Sequence, residues 1–131
     1  MRAALVTLLC ATAVLATGCG AVGFLGADGG DPVRGKELYV ENCLSCHVLE
    51  HAGQGGPIGP NLDDAFGIPR SQGFDESTIR NVVRGQIAYP EETTATGEPG
   101  MPANIVTGQD ARDVSVYVAQ CAGVPDCGVG D

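Results

Sequence analysis

The sequence predicts a small all-α domain of three to four helices, and three observations carry that expectation. Segments beginning at Asp31, Asp75 and Thr107 each open on a helix-capping residue and continue with apolar side chains at three- and four-residue spacing. No alternating apolar and polar run is long enough for a useful strand, and no internal repeat is visible. Aromatic residues make up 5% of the chain, with three Phe, three Tyr and no Trp. A domain of roughly 100 residues so composed buries little aromatic volume, and a large apolar prosthetic group would supply what the side chains lack.

Ahead of the domain, Arg2 is the only charge before Asp28, and the run from Leu5 through Leu15 has the length and apolarity of a signal core. The following Leu15-Ala16-Thr17-Gly18-Cys19 resembles a bacterial lipobox, in which small residues before a Cys permit lipidation of that thiol and cleavage just ahead of it. Ala16 stands where leucine is usual. An uncleaved transmembrane anchor and a freely released protein are the alternatives, although four glycines from Gly18 to Gly26 weaken a spanning helix. Every one of these readings puts the domain outside the cytoplasm, because Arg2 should stay inside. Residues 1–18 are expected to be a lipoprotein-type signal peptide or an uncleaved anchor, 19–30 a Gly-rich linker with Cys19 as the lipidation site, and 31–131 the folded domain.

Asp31-Pro32 offers an N-cap followed by proline at the first helical position, and Val33 to Asn42 reads as the first helix. Residues 52–69 hold six Gly or Pro residues between Gly53 and Pro60 and read as a loop, ordered once a prosthetic group is present. A second helix is expected from Glu76 to about Arg84, capped by Asp75 and ended by Gly85, with Ile79, Val82, Val83 and Ile87 on one face. Tyr89 to Asn104 is again loop. Thr107-Gly108-Gln109-Asp110 then resembles a capping box for a last helix whose Ala111, Val114, Val118 and Cys121 share a face beside Tyr117.

Chemistry concentrates at Cys43-Leu44-Ser45-Cys46-His47, the Cys-x-x-Cys-His pattern of covalent haem attachment. Two thiols add across the haem vinyl groups while the adjacent imidazole reaches the iron. One such motif means one haem c. The six cysteines then sort consistently: Cys10 in the signal, Cys19 at the lipobox, Cys43 and Cys46 on haem, and Cys121 with Cys127 as a disulfide pair in an oxidising compartment. Closing that short loop is worth about 2 to 2.5 kcal/mol by chain entropy. Once Met1 leaves with the signal, Met101 is the one methionine, set in the turn-rich Gly100-Met101-Pro102, and it is the candidate second axial ligand opposite His47. His51, the other histidine, lies too near His47 in the chain to reach the opposite haem face and reads as an exposed loop side chain near a propionate.

The net charge of −9 becomes −10 once the segment carrying Arg2 is removed, which argues against nucleic acid as a partner. A docking partner should instead present Lys and Arg, with association that weakens in salt.

Gly35-Lys36-Glu37-Leu38-Tyr39 ahead of the Cys-x-x-Cys-His turn, Gly59-Pro60-Asn61-Leu62, Asn81-Val82-Val83-Arg84-Gly85, Met101-Pro102 and Asp113 to Val118 together resemble the class I c-type cytochromes from Asp31 to Ala122. The resemblance implies a small cytochrome c-like fold around one covalent haem, with Pro60 offering its carbonyl to the His47 Nδ1–H and with Gly35 and Tyr39 crossing Tyr117. Propionate partners are not marked by motif, and Arg70, Arg80 and Arg84 are candidates that read equally as solvated charges. The function implied is that of a non-enzymatic monohaem carrier of single electrons. It would be held at the extracytoplasmic face of the membrane by its lipid or N-terminal anchor, between redox proteins such as a membrane-bound oxidase, reductase or quinol-oxidising complex. The alternative is a fixed haem c subunit of a larger respiratory or photosynthetic oxidoreductase. An open-iron sensor or peroxidase is disfavoured by Met101, and a haem-free thiol oxidoreductase lacks the strand-to-helix setting such proteins use.

Overall fold

Asp31 starts the first helix by accepting hydrogen bonds from the Val33 and Arg34 amides at 2.9 and 3.2 Å, and Pro32 adds a first helical residue with no N–H to satisfy. The computed structural model describes residues 29–130. Within them α1 (Pro32–Asn42) leads to a 3-10 turn (Glu50–Ala52), then α2 (Leu62–Ser71), α3 (Glu76–Ala88) and α4 (Gly108–Cys121). Among the described residues there are no strands, only isolated bridges pairing Leu49 with Gly53 and Thr93 with Pro99. The all-α expectation holds, with four helices. No described helix is long and apolar enough to cross a membrane, and the expectations for Cys10, Cys19 and the signal or anchor fall outside the described residues.

Helix α2 corrects the loop expected over residues 52–69. Asn61 accepts from the Asp63 and Asp64 amides at 2.9 and 3.4 Å, two acidic residues occupy the first turn where the helix dipole favours them, and Leu62 and Phe66 turn one face to the core. Gly67 and Pro69 obscured it in the sequence. Pro69 falls in the last turns, where one lost bond is tolerable, and Gly67 lets the chain after α4 approach so closely that a Cβ on Gly123 would come within 2.7 Å of the Gly67 Cα.

Helix α3 runs past Gly85 to Ala88, because Ile87 completes a buried stripe with Ile79 and Val83 and Tyr89 N–H uses the Gly85 carbonyl at 2.8 Å. Val82, expected on that face, is exposed, and Arg80 is buried instead. At α4, Thr107 precedes the helix but its side chain caps no amide, so the capping box does not form; Gly108, at φ +56°, turns the chain into the helix. The expected Val114, Tyr117, Val118 and Cys121 are buried, and so are Asp113, Ser115, Val116 and Ala119. Covered nearly all round, α4 is the central element, packed on both α1 and α3.

The α1–α4 crossing depends on Gly35. A Cβ there would collide with the Asp113 carbonyl and come 2.8 Å from the Tyr117 Cβ. One turn on, Tyr39 meets Tyr117 edge-to-face with ring centroids 5.7 Å apart, an arrangement worth roughly 0.5 to 1.5 kcal/mol beyond burial. The buried Asp113 carboxylate accepts from the Asp31 amide at 2.8 Å and the Gln109 Nε2 at 2.7 Å, which ties the start of α1 to α4. At the other end Cys121 and Cys127 form a disulfide with Cα atoms 5.0 Å apart, and Val129 beyond it is buried in the core.

Candidate functional site

Helix α1 delivers the Cys-x-x-Cys-His segment at its C-terminus, where the Cys43 and Leu44 amides both donate to the Tyr39 carbonyl at 2.8 and 3.0 Å. The chain then turns once, with Cys46 and His47 amides donating to the Cys43 carbonyl at 3.1 and 2.9 Å. Residues three and four apart in such a helical turn lie on one side, so both thiols and the imidazole share a face. Neither thiol is in a disulfide; Cys43 is buried and Cys46 half-buried. Burial, with a smaller contribution from Cys46, pushes the Cys43 thiol up to about 11, so it stays protonated at neutral pH.

The Gly-rich segment that follows is ordered by direct backbone contact with this turn. Gly56 donates to the Leu44 carbonyl at 3.0 Å, Gly59 to Cys46 at 2.7 Å and Leu62 to Val48 at 2.8 Å. The glycines are required sterically: a Cβ on Gly55 would strike the His47 carbonyl, one on Gly56 the Ser45 carbonyl, and one on Gly59 the His47 ring, 2.6 Å from Nδ1 and 2.9 Å from Nε2. The same loop brings the Pro60 carbonyl 2.9 Å from His47 Nδ1. A carbonyl can only accept, so Nδ1 carries the proton and Nε2 keeps its lone pair, the form in which an imidazole binds a metal.

One side chain that sequence reasoning missed secures this arrangement. Asp63, in the first turn of α2, accepts from the Glu50 amide at 2.7 Å and the Gly123 amide at 2.8 Å, pinning the segment after His47 to the end of α4. Only its place in the first turn of an Asn-capped helix marks it in the sequence. His51 differs from its expectation as an exposed side chain: it is half-buried, with Nδ1 3.0 Å from the Tyr117 hydroxyl. Burial raises the pKa of both Tyr117 and Tyr39, and the buried Tyr39 hydroxyl has no hydrogen-bond partner among the described residues.

Met101 enters from the segment between α3 and α4, half-buried and packed against the core cluster. Of the three arginines, Arg70 donates Nε to the Ala122 carbonyl at 2.8 Å and Nη2 to the Ala119 carbonyl, capping the C-terminus of α4. Arg70 is therefore not a solvated charge, and Arg80 is buried; Arg84 is exposed.

A cytochrome c family model matches residues 32–122, nearly the whole described domain. The chain belongs to the cytochrome c family. It is 41% identical over 44 residues to the cytochrome c of Ulva intestinalis, a stretch covering 34% of this chain and 39% of that one. It is 42% identical over 43 residues to that of Cochliobolus lunatus, covering 33% and 39%. The match thus spans about two-fifths of those relatives' length. Among solved structures, the c-type cytochrome SorU from Sinorhizobium meliloti is similar at 29% identity with a TM-score of 0.46, covering 70% of this chain and 91% of that one. Members of the family bind one covalent haem c, and haem c is the cofactor of this chain. The residues present suit it: two free thiols and an Nε2 lone pair lie on one turn, with the imidazole held by Pro60 and Gly59.

Proposed function

We propose that this chain is a monohaem electron carrier, anchored through Cys19 at the extracytoplasmic face of the membrane and passing single electrons between membrane-bound or extracytoplasmic redox proteins. The hydrogen bond from His47 Nδ1 to the Pro60 carbonyl carries the reading, because it presents Nε2 as a ligand beside Cys43 and Cys46. Haem c, when bound, supplies a one-electron ferric/ferrous couple. Cys43 and Cys46 would hold it through thioether bonds, and His47 and Met101 would supply its iron with an imidazole nitrogen and a thioether sulfur. Pro60 restrains rotation of the imidazole, and Gly59 keeps the ring's near face free of side-chain bulk. The soft Met101 thioether favours the ferrous state and raises the potential over that of two nitrogen ligands. An acidic surface suits a partner rich in Lys and Arg and an association that weakens with salt.

Met101→Ala tests the assignment. The variant is expected to take up exogenous cyanide or imidazole and to show a lower reduction potential; an optical spectrum that stays six-coordinate and low-spin without added ligand would contradict it. Purification in mild detergent separates a tethered shuttle, which should migrate alone, from a fixed subunit, which would bring its complex with it.

A further inference from the structure

Beside the point where the described chain enters the fold, α3 and the start of α4 enclose a groove of about 530 Å³ that includes none of Cys43, Cys46, His47 or Met101. Arg84 and Arg112 stand in its wall with Asn81, Asn104, Thr107 and Tyr89, and among the described residues no carboxylate lines it. In a chain of net charge −9 such a groove is the exception. We propose that it is the face the domain turns to its own bilayer, seating the phosphate of an anionic phospholipid between Arg84 and Arg112. The proposal rests on the reading of Cys19 as the membrane anchor.

Three observations support it. Gln109 joins the groove to the start of the chain: its Nε2 donates to the Gly29 carbonyl at 2.8 Å and to the Asp113 carboxylate at 2.7 Å, while its Oε1 accepts from Arg112 Nε and Nη2 at 2.9 and 2.7 Å. The Arg112 guanidinium is thus aimed by the side chain that fixes where the chain enters, and it uses only two of its five N–H groups to do so. Next, Gly29 lies ten positions after Cys19, a reach of at most about 35 Å, so a contact too weak to recruit a free protein can still orient an anchored one. Finally, charge selects this face. Asp113 is turned inward to the Asp31 amide, Asp110 lies in electrostatic range of Arg34 on α1, and Thr107 caps no amide, which leaves the positive end of the α4 dipole at the groove. Tyr89, 87% exposed at the rim, has the apolar body and polar tip that suit a headgroup layer. Helix α1 then carries eleven residues, about 16 Å, from Asp31 to Cys43, so a domain seated on the groove holds the Cys43–His47 turn off the bilayer.

The test places the full haem-loaded chain on vesicles of phosphatidylcholine alone or of an equal mixture with phosphatidylglycerol. Flotation with phosphatidylcholine reads the anchor: a chain that stays in solution there sinks the anchor reading, whereas the groove stands or falls on amide hydrogen exchange in the mixed vesicles. Peptides covering residues 84–89 and 104–112 should exchange about fivefold more slowly on the mixed vesicles than on phosphatidylcholine, the differential that one arginine supplies near an anionic surface. Arg84→Gln combined with Arg112→Gln, checked for an unchanged haem spectrum, should abolish that difference. Equal exchange on the two vesicles, protection centred on residues 43–60, protection undiminished in the double variant, or the same protection from free inorganic phosphate overturns the proposal.

Discussion

Two Gly- and Pro-rich segments read alike in the sequence and behave differently in the fold. Residues 53–62 are laid backbone to backbone along the Cys43–Val48 turn by three hydrogen bonds and by glycines that admit no Cβ. Residues 90–106, which carry Met101, bond mainly among themselves: Thr94 with Glu98, Gly97 with Thr94, and Gly100 with Glu92, each at 2.9 Å. Among the described residues the one backbone hydrogen bond leaving that segment runs from the Asn104 amide to Ile87, at 2.8 Å, and residues 91–99 are exposed throughout. The position of His47 is therefore specified by backbone contact with a second segment, while Met101 sits in a segment whose backbone hydrogen bonds are mostly its own.

Substitutions in the two segments should then differ in scale. Gly59→Ala is expected to have the largest effect, because its methyl group meets an imidazole that Pro60 prevents from swinging away. A loss of up to about 3 kcal/mol, the upper end for overpacking, should appear in urea unfolding together with a disturbed haem spectrum. Asp63→Ala should follow at about 1 to 2 kcal/mol, since it leaves the part-buried Gly123 amide without its acceptor and gives the exposed Glu50 amide over to water; denaturant midpoints measure it.

A smaller effect belongs to Asp75, which caps α3 between the two segments. Hydrogen bonds from the Thr78 amide, foremost, and from the Ser77 hydroxyl hold its carboxyl below the usual carboxylate range. A folded value below the unfolded one means the cap contributes fully above an unfolded pKa of about 3.9 and is lost as pH falls through the folded value. Below about pH 4 the wild-type urea midpoint should therefore drop more steeply than that of Asp75→Asn. Glu91→Gln, on the exposed Met101 side, should change stability by less than about 0.5 kcal/mol. A large loss there would erase the contrast between the segments.

Caps and motifs were legible in the sequence wherever the signal is local. Asp31-Pro32, Asp75 and the periodic valines of α4 announced three helices, and Cys43 to His47 announced the attachment turn. Helix α2 was hidden because Pro69 lies in its last turns and Gly67 serves a contact with the chain after α4, and a long-range contact leaves no period. The same reason hid the glycine packing on His47, the bridging role of Asp63 and the seat of His51 on Tyr117. In each case the partner lies eight or more positions away in the chain. Gly85 misled in the opposite direction, since burial of Ile87 outweighs the roughly 1 kcal/mol that a helix-interior glycine costs. The pairing of His47 with Pro60 was reachable only by resemblance, because nothing in the spacing of a loop identifies which carbonyl will meet an imidazole.

Iron-edge X-ray absorption on the haem-loaded wild type and Met101→Ala tests the central claim most directly. The expected result is one sulfur and five nitrogen neighbours in the wild type, with the sulfur lost in the variant. A wild-type shell without sulfur, or a sulfur that survives in Met101→Ala, would contradict it.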